Sequence, residues 1–152
     1  MKALSLWQPW ASLIFGQIRP NLFKRWETRS WYMGYRGPLL VHAAQKHFSE
    51  HDSRQLFRSM ILHDYFYTWW YLPYGAIVGR VNVVACLPTD EPEILNLPLE
   101  QLRLGDFGEG RYAIKLENPA LFEKPISYRG RQGLFNVPDE LVAQHELEVP
   151  ND

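Results

Sequence analysis

Phe23-Lys24-Arg25-Trp26-Glu27-Thr28-Arg29-Ser30-Trp31 is the stretch on which the reading of this chain turns. It is too short and too aromatic to favour a helix, so an extended segment is expected. Alternate residues of a strand face opposite sides, which puts Arg25, Glu27, Arg29 and Trp31 on one side and Trp26 and Thr28 on the other. Lys24 and Arg29 offer only N–H donors, and an ionised Glu27 offers only acceptors. Such a trio suits a polar planar ligand: Glu27 accepts from an exocyclic amine, Arg29 holds a carbonyl or phosphate in its fork, and Lys24 neutralises a phosphate. An exposed salt-bridge ladder is the plainer alternative for an isolated Lys-x-x-Glu-x-Arg.

Working outward, residues 2–7 alternate in strand fashion, and Pro9 suits the first position of a short helix because it donates no hydrogen bond. Trp10, Leu13 and Ile14 recur at helical spacing, and Gly16 stands where a left-handed cap is expected, followed by a loop over residues 17–22. After a turn bracketed by Gly34 and Gly37, residues 38–44 read as an apolar strand. Ser49-Glu50-His51-Asp52 resembles a capping box with Asp in place of Glu, and Leu56, Phe57, Met60 and Ile61 give the following helix an apolar stripe. Residues 63–74 hold seven aromatic residues other than His, which makes that segment either core or contact surface. Residues 75–87 form the clearest strand, rich in β-branched side chains, with Gly79 a candidate bulge. Residues 88–106 read as a loop or short helical excursion. Residues 111–116 and 134–137 read as further strands, and 138–145 as a short terminal helix. The sum is an α+β, mainly β chain: a small barrel of five to six strands with an early short helix and one inserted helix. Residues 1–152 are expected to form a single domain.

Composition supports a packed core, with 46% hydrophobic residues, 22% charged and 14% aromatic. The lone cysteine, Cys86, excludes an intramolecular disulfide and a cysteine-based zinc site, and favours a reducing compartment. The N-terminus lacks the apolar core of a secretion signal, and no run approaches the roughly 18 apolar residues of a membrane span, so a cytoplasmic protein without membrane contact is expected. The net charge of −1 conceals an asymmetry. Residues 1–36 carry six Lys or Arg against one acid, whereas residues 90–152 carry 13 acids against six bases, including an acidic end at Asp139, Glu140, Glu146, Glu148 and Asp152. One basic face for phosphates and an opposite face that repels them fits this pattern.

Ala3-Leu4-Ser5-Leu6-Trp7-Gln8-Pro9-Trp10-Ala11 followed by Lys24-x-x-Glu27-x-Arg29 resembles the ASCH family of the PUA-like superfamily. Val41-His42-Ala43-Ala44, residues 75–79, Gly110-Arg111-Tyr112-Ala113 and residues 129–134 continue the resemblance in order. One position departs from it: the family signature begins Gly-x-Lys, and Leu22 holds the glycine's place here. The resemblance implies a PUA-like barrel that binds nucleic acid, RNA more than DNA, or a modified nucleoside, in a pocket built on Lys24, Glu27 and Arg29. It also implies an alternative. Some members hydrolyse the amide of N4-acetylcytidine and others cut RNA, which would make Lys24 and Glu27 catalytic. The short amidohydrolase members place Thr at the position of Glu27.

Beside that trio, Trp7, His42 and Tyr112 are ring candidates for stacking on a base. Gln8 is a candidate for a base edge, and Arg129 and Arg131, flanking Gly130, are candidates for phosphate. His42 on an apolar strand equally suits a core histidine bonded to backbone, and the Arg-Gly-Arg segment equally suits a plain hairpin turn. His47 and His51 straddle a helix start without a third ligand, so no metal site is expected, and no phosphate-cradling glycine loop or other cofactor motif occurs. The aromatic segment makes a homodimer face a third use of the surface.

Overall fold

The computed structural model describes residues 1–148, with side chains described as far as residue 145. In chain order its elements are β1 (Lys2–Leu6), α1 (Trp10–Leu13), β2 (Trp26–Arg29), β3 (Gly37–Ala43), α2 (Glu50–Ser59), a 3-10 helix (His63–Tyr71), β4 (Ala76–Pro88), α3 (Pro92–Leu95), α4 (Leu99–Leu102), β5 (Tyr112–Ser127), β6 (Leu134–Asn136) and α5 (Asp139–Glu148). The strands make one curled six-stranded sheet in the order β2-β5-β4-β3-β1-β6. β1 and β3 run parallel and the remaining neighbours are antiparallel.

The sheet curls because its two longest strands do not keep a regular register. β4 against β5 slips between Ile77 and Gly79, between Arg80 and Asn82, and between Val83 and Ala85. Each such irregularity adds local twist and bends the strand, so three in succession wrap the sheet round one face. Gly79 lies at the first of them. A Cβ there would meet the Ala120 carbonyl oxygen and Phe15 Cε1, each at 2.6 Å, so only glycine lets the strands close on the ring of Phe15. Inside the curve Leu4, Leu6, Val41, Val81 and Ile114 pack with Phe15 and Met33. Ala3, Leu40, Ile77 and Phe135 alternate to the other face and pack with Val142 of α5. Both faces of the central strands are therefore covered, and strands so covered read as continuous apolar runs.

Short helices close the ends. Ser49 caps α2, its hydroxyl accepting from the Asp52 amide at 3.1 Å, as the capping-box reading expects. Such a cap contributes about 1 kcal/mol. Of the expected stripe on this helix, Phe57 and Met60 are buried and Leu56 packs beside them, but Ile61 is 51% exposed. α2 has ended by then, and Ile61 has a φ of 57°, which turns its side chain outward. Gly16 takes the expected left-handed conformation at φ 68°. In the aromatic segment Phe66 is buried with Trp69 packed beside it, while Tyr67, Trp70 and Tyr71 are exposed.

Two sequence boundaries need correction. The strand expected to stop at residue 116 runs on to Ser127, sixteen residues in all. Asn118 (φ 53°), Pro119 and Pro125 look like strand breakers, but the register slips opposite β4 absorb them. Residues 88–106 hold two short helices, α3 and α4. Of the acidic end, Glu146, Glu148 and Asp152 lie outside the described residues and side chains. Among the described residues no helix is long and apolar enough to cross a membrane.

Candidate functional site

Lys24, Glu27 and Arg29 converge at the edge of the sheet. Lys24 sits two residues before β2, where its amide is bonded to the Leu13 carbonyl at 2.8 Å, and from there the side chain turns into the fold. Its Nζ donates to the Leu104 carbonyl at 2.6 Å and lies 3.4 Å from Glu27 Oε1. Leu104 follows α4, so the long β4–β5 connection supplies the roof over the ammonium. Glu27 Oε2 accepts from Arg29 Nε at 2.9 Å and lies 2.9 Å from Arg29 Nη2, which itself donates to the Ser5 carbonyl at 2.9 Å. Burial pushes the Lys24 pKa below the ordinary lysine value; Glu27 opposes that shift and the Arg29 charge reinforces it. Two cations flank Glu27, and the carboxylate keeps further acceptor capacity for a ligand. Among the described residues Arg29 Nη1 has no hydrogen-bond partner.

These three residues form one side of a cleft of about 1720 Å³. That exceeds the roughly 300–1,000 Å³ of a small-molecule pocket and leaves room for a ligand longer than one nucleoside. Its charged lining is seven cations, Lys24, Arg29, Lys46, Arg103, Arg111, Arg129 and Arg131, against two carboxylates, Glu27 and Asp106. Both carboxylates are committed, Glu27 as above and Asp106 to Arg111 at 3.5 Å. Among the described residues, the side chains of Lys46, Arg103, Arg129 and Arg131 have no hydrogen-bond or ion-pair partner. All four are exposed. The cleft therefore carries an unbalanced positive field. Its aromatic wall is Trp7, 40% exposed, backed by Phe48 at 4.8 Å between ring centroids.

The cleft gathers Trp7, Lys24, Glu27, Arg29, His42, Arg129 and Arg131 from the residues singled out in the sequence, and Trp31 as well. It does not gather two others. Gln8 is buried, with its amide nitrogen donating to Ser12 Oγ at 2.8 Å and the Pro73 carbonyl at 2.9 Å and its oxygen accepting from the Ser12 amide at 3.0 Å. That amide holds α1 in place, which corrects its assignment to a base edge. Tyr112 stacks edge-on against Tyr32 at 5.7 Å outside the cleft. His42 is 1% exposed and, as the core alternative expects, bonded to backbone through Nε2 at Tyr128 O, 2.7 Å away.

Basic residues of the first 36 contribute less than their number suggests. Arg19 is paired with Glu100 at 2.9 Å and Arg36 is bonded to the Met33 and Tyr35 carbonyls. Arg25 also lies outside the cleft. Leu22, at the family's glycine position, is buried against Leu13, Ile18 and Phe57, so the loop there seals the core. Sequence reasoning missed Ser5, Lys46, Arg103 and Arg111 as lining residues. Lys46 and Arg103 stand in segments with no strand or helix signal of their own, and only the tertiary fold brings them together.

The curled, bulge-bent sheet thus carries a large basic cleft with an aromatic wall and a largely buried Lys-Glu-Arg cluster. The ASCH domain family model matches residues 4–120, and the chain belongs to that family. Similar solved structures agree in fold. A crystal structure of an ASCH protein from Zymomonas mobilis superposes with a TM-score of 0.53 at 15% identity, covering 97% of this chain and 93% of that one. A Tyr-to-Phe variant of the Zymomonas protein gives 0.55 at 15% identity, covering 98% of each chain. No curated protein matches the sequence significantly.

Proposed function

We propose that this protein binds single-stranded nucleic acid, RNA in preference to DNA, along the basic cleft, with one nucleotide seated at Lys24, Glu27 and Arg29. The observation that carries the reading is the set of four exposed cations without partners, Lys46, Arg103, Arg129 and Arg131, round a cleft whose carboxylates are already committed. Those four take the phosphates. Arg29 Nη1 takes a carbonyl or phosphate oxygen, the spare acceptor capacity of Glu27 takes an amine hydrogen, and Trp7 offers a face for stacking. Lys24, 2% exposed and bonded to the Leu104 carbonyl, sets the electrostatics beneath the nucleotide and leaves the phosphates to the exposed cations. Isothermal titration of single-stranded RNA, the matching DNA and a panel of nucleosides tests this. Micromolar or tighter binding of RNA, lost on Arg29→Ala, supports it; equal silence towards every ligand removes it.

One observation favours a second reading. The lowered pKa of Lys24 beside Glu27 enlarges the neutral amine population, and such an amine serves as a base or nucleophile. Hydrolysis of N4-acetylcytidine is the reaction to which the family resemblance points. Following loss of acetyl by mass spectrometry, with Lys24→Ala as control, separates the two readings: unchanged substrate at high protein concentration leaves the binding module alone.

A further inference from the structure

The same cleft holds a second arrangement that is used by none of the above. Ser5 of β1 and His42 of β3 are register partners on parallel neighbours, so their side chains stand on the same side of the sheet. Ser5 Oγ is 2.9 Å from His42 Nδ1, and His42 Nε2 is 2.7 Å from the carbonyl oxygen of Tyr128. A carbonyl oxygen only accepts, so Nε2 carries the ring hydrogen, Nδ1 of the neutral ring is the acceptor, and the Ser5 hydroxyl donates to it. We propose that Ser5 and His42 act as nucleophile and base, taking an acyl group from an ester or amide held in the cleft.

Two features favour a reactive pair. Both residues line the cleft, and Ser5 is only half-buried. His42 is 1% exposed, so water does not compete for Nδ1, and the same burial lowers its pKa and leaves the ring neutral near pH 7. Gly130 packs directly against the pair: a Cβ there would stand 2.5 Å from His42 Cε1 and 3.2 Å from Ser5 Oγ, so only glycine lets the Arg129–Arg131 segment lie this close to the imidazole. The groups facing the imidazole are the Ser5 hydroxyl, the Tyr128 carbonyl, Gly130 and the Phe135 ring at 6.0 Å, and none of them is charged. The imidazolium formed during reaction is supported by the Tyr128 carbonyl, which occupies the place of the orienting acid in a triad.

In the first step Ser5 Oγ bonds to the acyl carbon while its proton passes to His42 Nδ1. The bond from that carbon to the leaving oxygen or nitrogen breaks, and the leaving group takes the proton from Nδ1. Water then attacks the acyl-serine, gives a proton to Nδ1, and Ser5 leaves as the hydroxyl by taking it back. Water is the only co-reactant. The free cations of the same cleft select acyl compounds with an anionic body.

The pair is tested without nucleic acid, so its failure leaves the binding reading untouched. With 4-nitrophenyl acetate the native protein is expected to release a burst of about one equivalent of nitrophenolate and to carry the acetyl group on Ser5 in a peptide map. Ser5→Ala abolishes the burst. His42→Asn slows it about 100-fold or more, the lower bound of a general-base contribution. Because His42 is buried, Ser5→Cys supplies a second measurement: its alkylation by iodoacetamide should persist well below pH 8.5, the ordinary thiol pKa, as for thiols paired with imidazole. Acetyl found on Lys24 instead, a burst unaltered in Ser5→Ala, or an ordinary thiol pH profile in Ser5→Cys would each overturn the proposal.

Discussion

Arg29 Nε donates to one oxygen of Glu27 at 2.9 Å, with Nη2 also 2.9 Å from it, and so holds the carboxylate whose other oxygen lies 3.4 Å from Lys24. The three charges are one unit. Lys24 is the member removed from water, Glu27 neutralises it, and Arg29 orients Glu27 and ties the unit to β1 through the Ser5 carbonyl.

Removing the middle charge is therefore costly and removing the buried end is less so. Deleting the partner of a buried charge strands it, at about 3–5 kcal/mol, whereas Lys24→Met leaves Glu27 paired with Arg29 and removes the lysine's own burial cost, at the loss of the hydrogen bond to the Leu104 carbonyl. The Glu27 and Arg29 side chains keep 11% and 23% exposure, so the cost is discounted for screening. Glu27→Gln is expected to lower unfolding stability by about 2 kcal/mol, and Lys24→Met by about 1 kcal/mol, the net value of its hydrogen bond to the Leu104 carbonyl. Urea denaturation at pH 7 measures both, and the reverse order would contradict the assignment of Glu27 as the centre.

Trp7 and Gln8 are neighbours in sequence with opposite expected phenotypes. Trp7→Ala should weaken binding of single-stranded RNA by about 1–3 kcal/mol with little effect on folding. Gln8→Ala should lower stability by about 1–3 kcal/mol, because it leaves the Pro73 carbonyl and Ser12 without their partner, and should leave the affinity of the folded fraction unchanged. Tyr112→Leu, outside the cleft, should also leave affinity unchanged. Anisotropy titrations paired with thermal melts separate the three.

Two groups make stability depend on pH, in separate windows. Both have pKa values lowered by burial, so the unfolded chain binds more protons than the native one between the native and unfolded pKa, and stability rises with pH there. For Lys24 the burial penalty is relieved as pH rises from the lowered native pKa towards about 10.4, the unfolded lysine value. For His42 stability is lost as pH falls below about 6.5, the unfolded histidine value. Comparing denaturation midpoints of the native protein with Lys24→Met over pH 7–10, and with His42→Asn over pH 4.5–7, isolates each contribution. A flat difference in either window would show that the native pKa is not lowered.

The architecture was legible where local chemistry and tertiary use coincide. The β-branched run of β4, the Ser49 cap and the left-handed Gly16 are local signals, and each appears in place. The extension of β5 was hidden because Asn118, Pro119 and Pro125 signal breaks that only the opposing bulges of β4 accommodate. At the site, the spacing of Glu27 and Arg29 reports a shared strand face, but Lys24 reaches them from outside the strand, by a turn that alternation does not encode. The free cations Lys46 and Arg103 come from segments far apart in sequence, and no pattern within either announces that they meet.

The dependence of RNA affinity on salt tests the central claim most directly, because it counts phosphates neutralised. With Lys46, Arg103, Arg129 and Arg131 each meeting a phosphate, log K for a short single-stranded RNA should fall against log salt with a slope of about −3, at roughly 0.7 per contact. The Arg129→Ala, Arg131→Ala double variant should reduce that to about −1.4. Affinity independent of salt, or an unchanged slope in the double variant, would contradict the account.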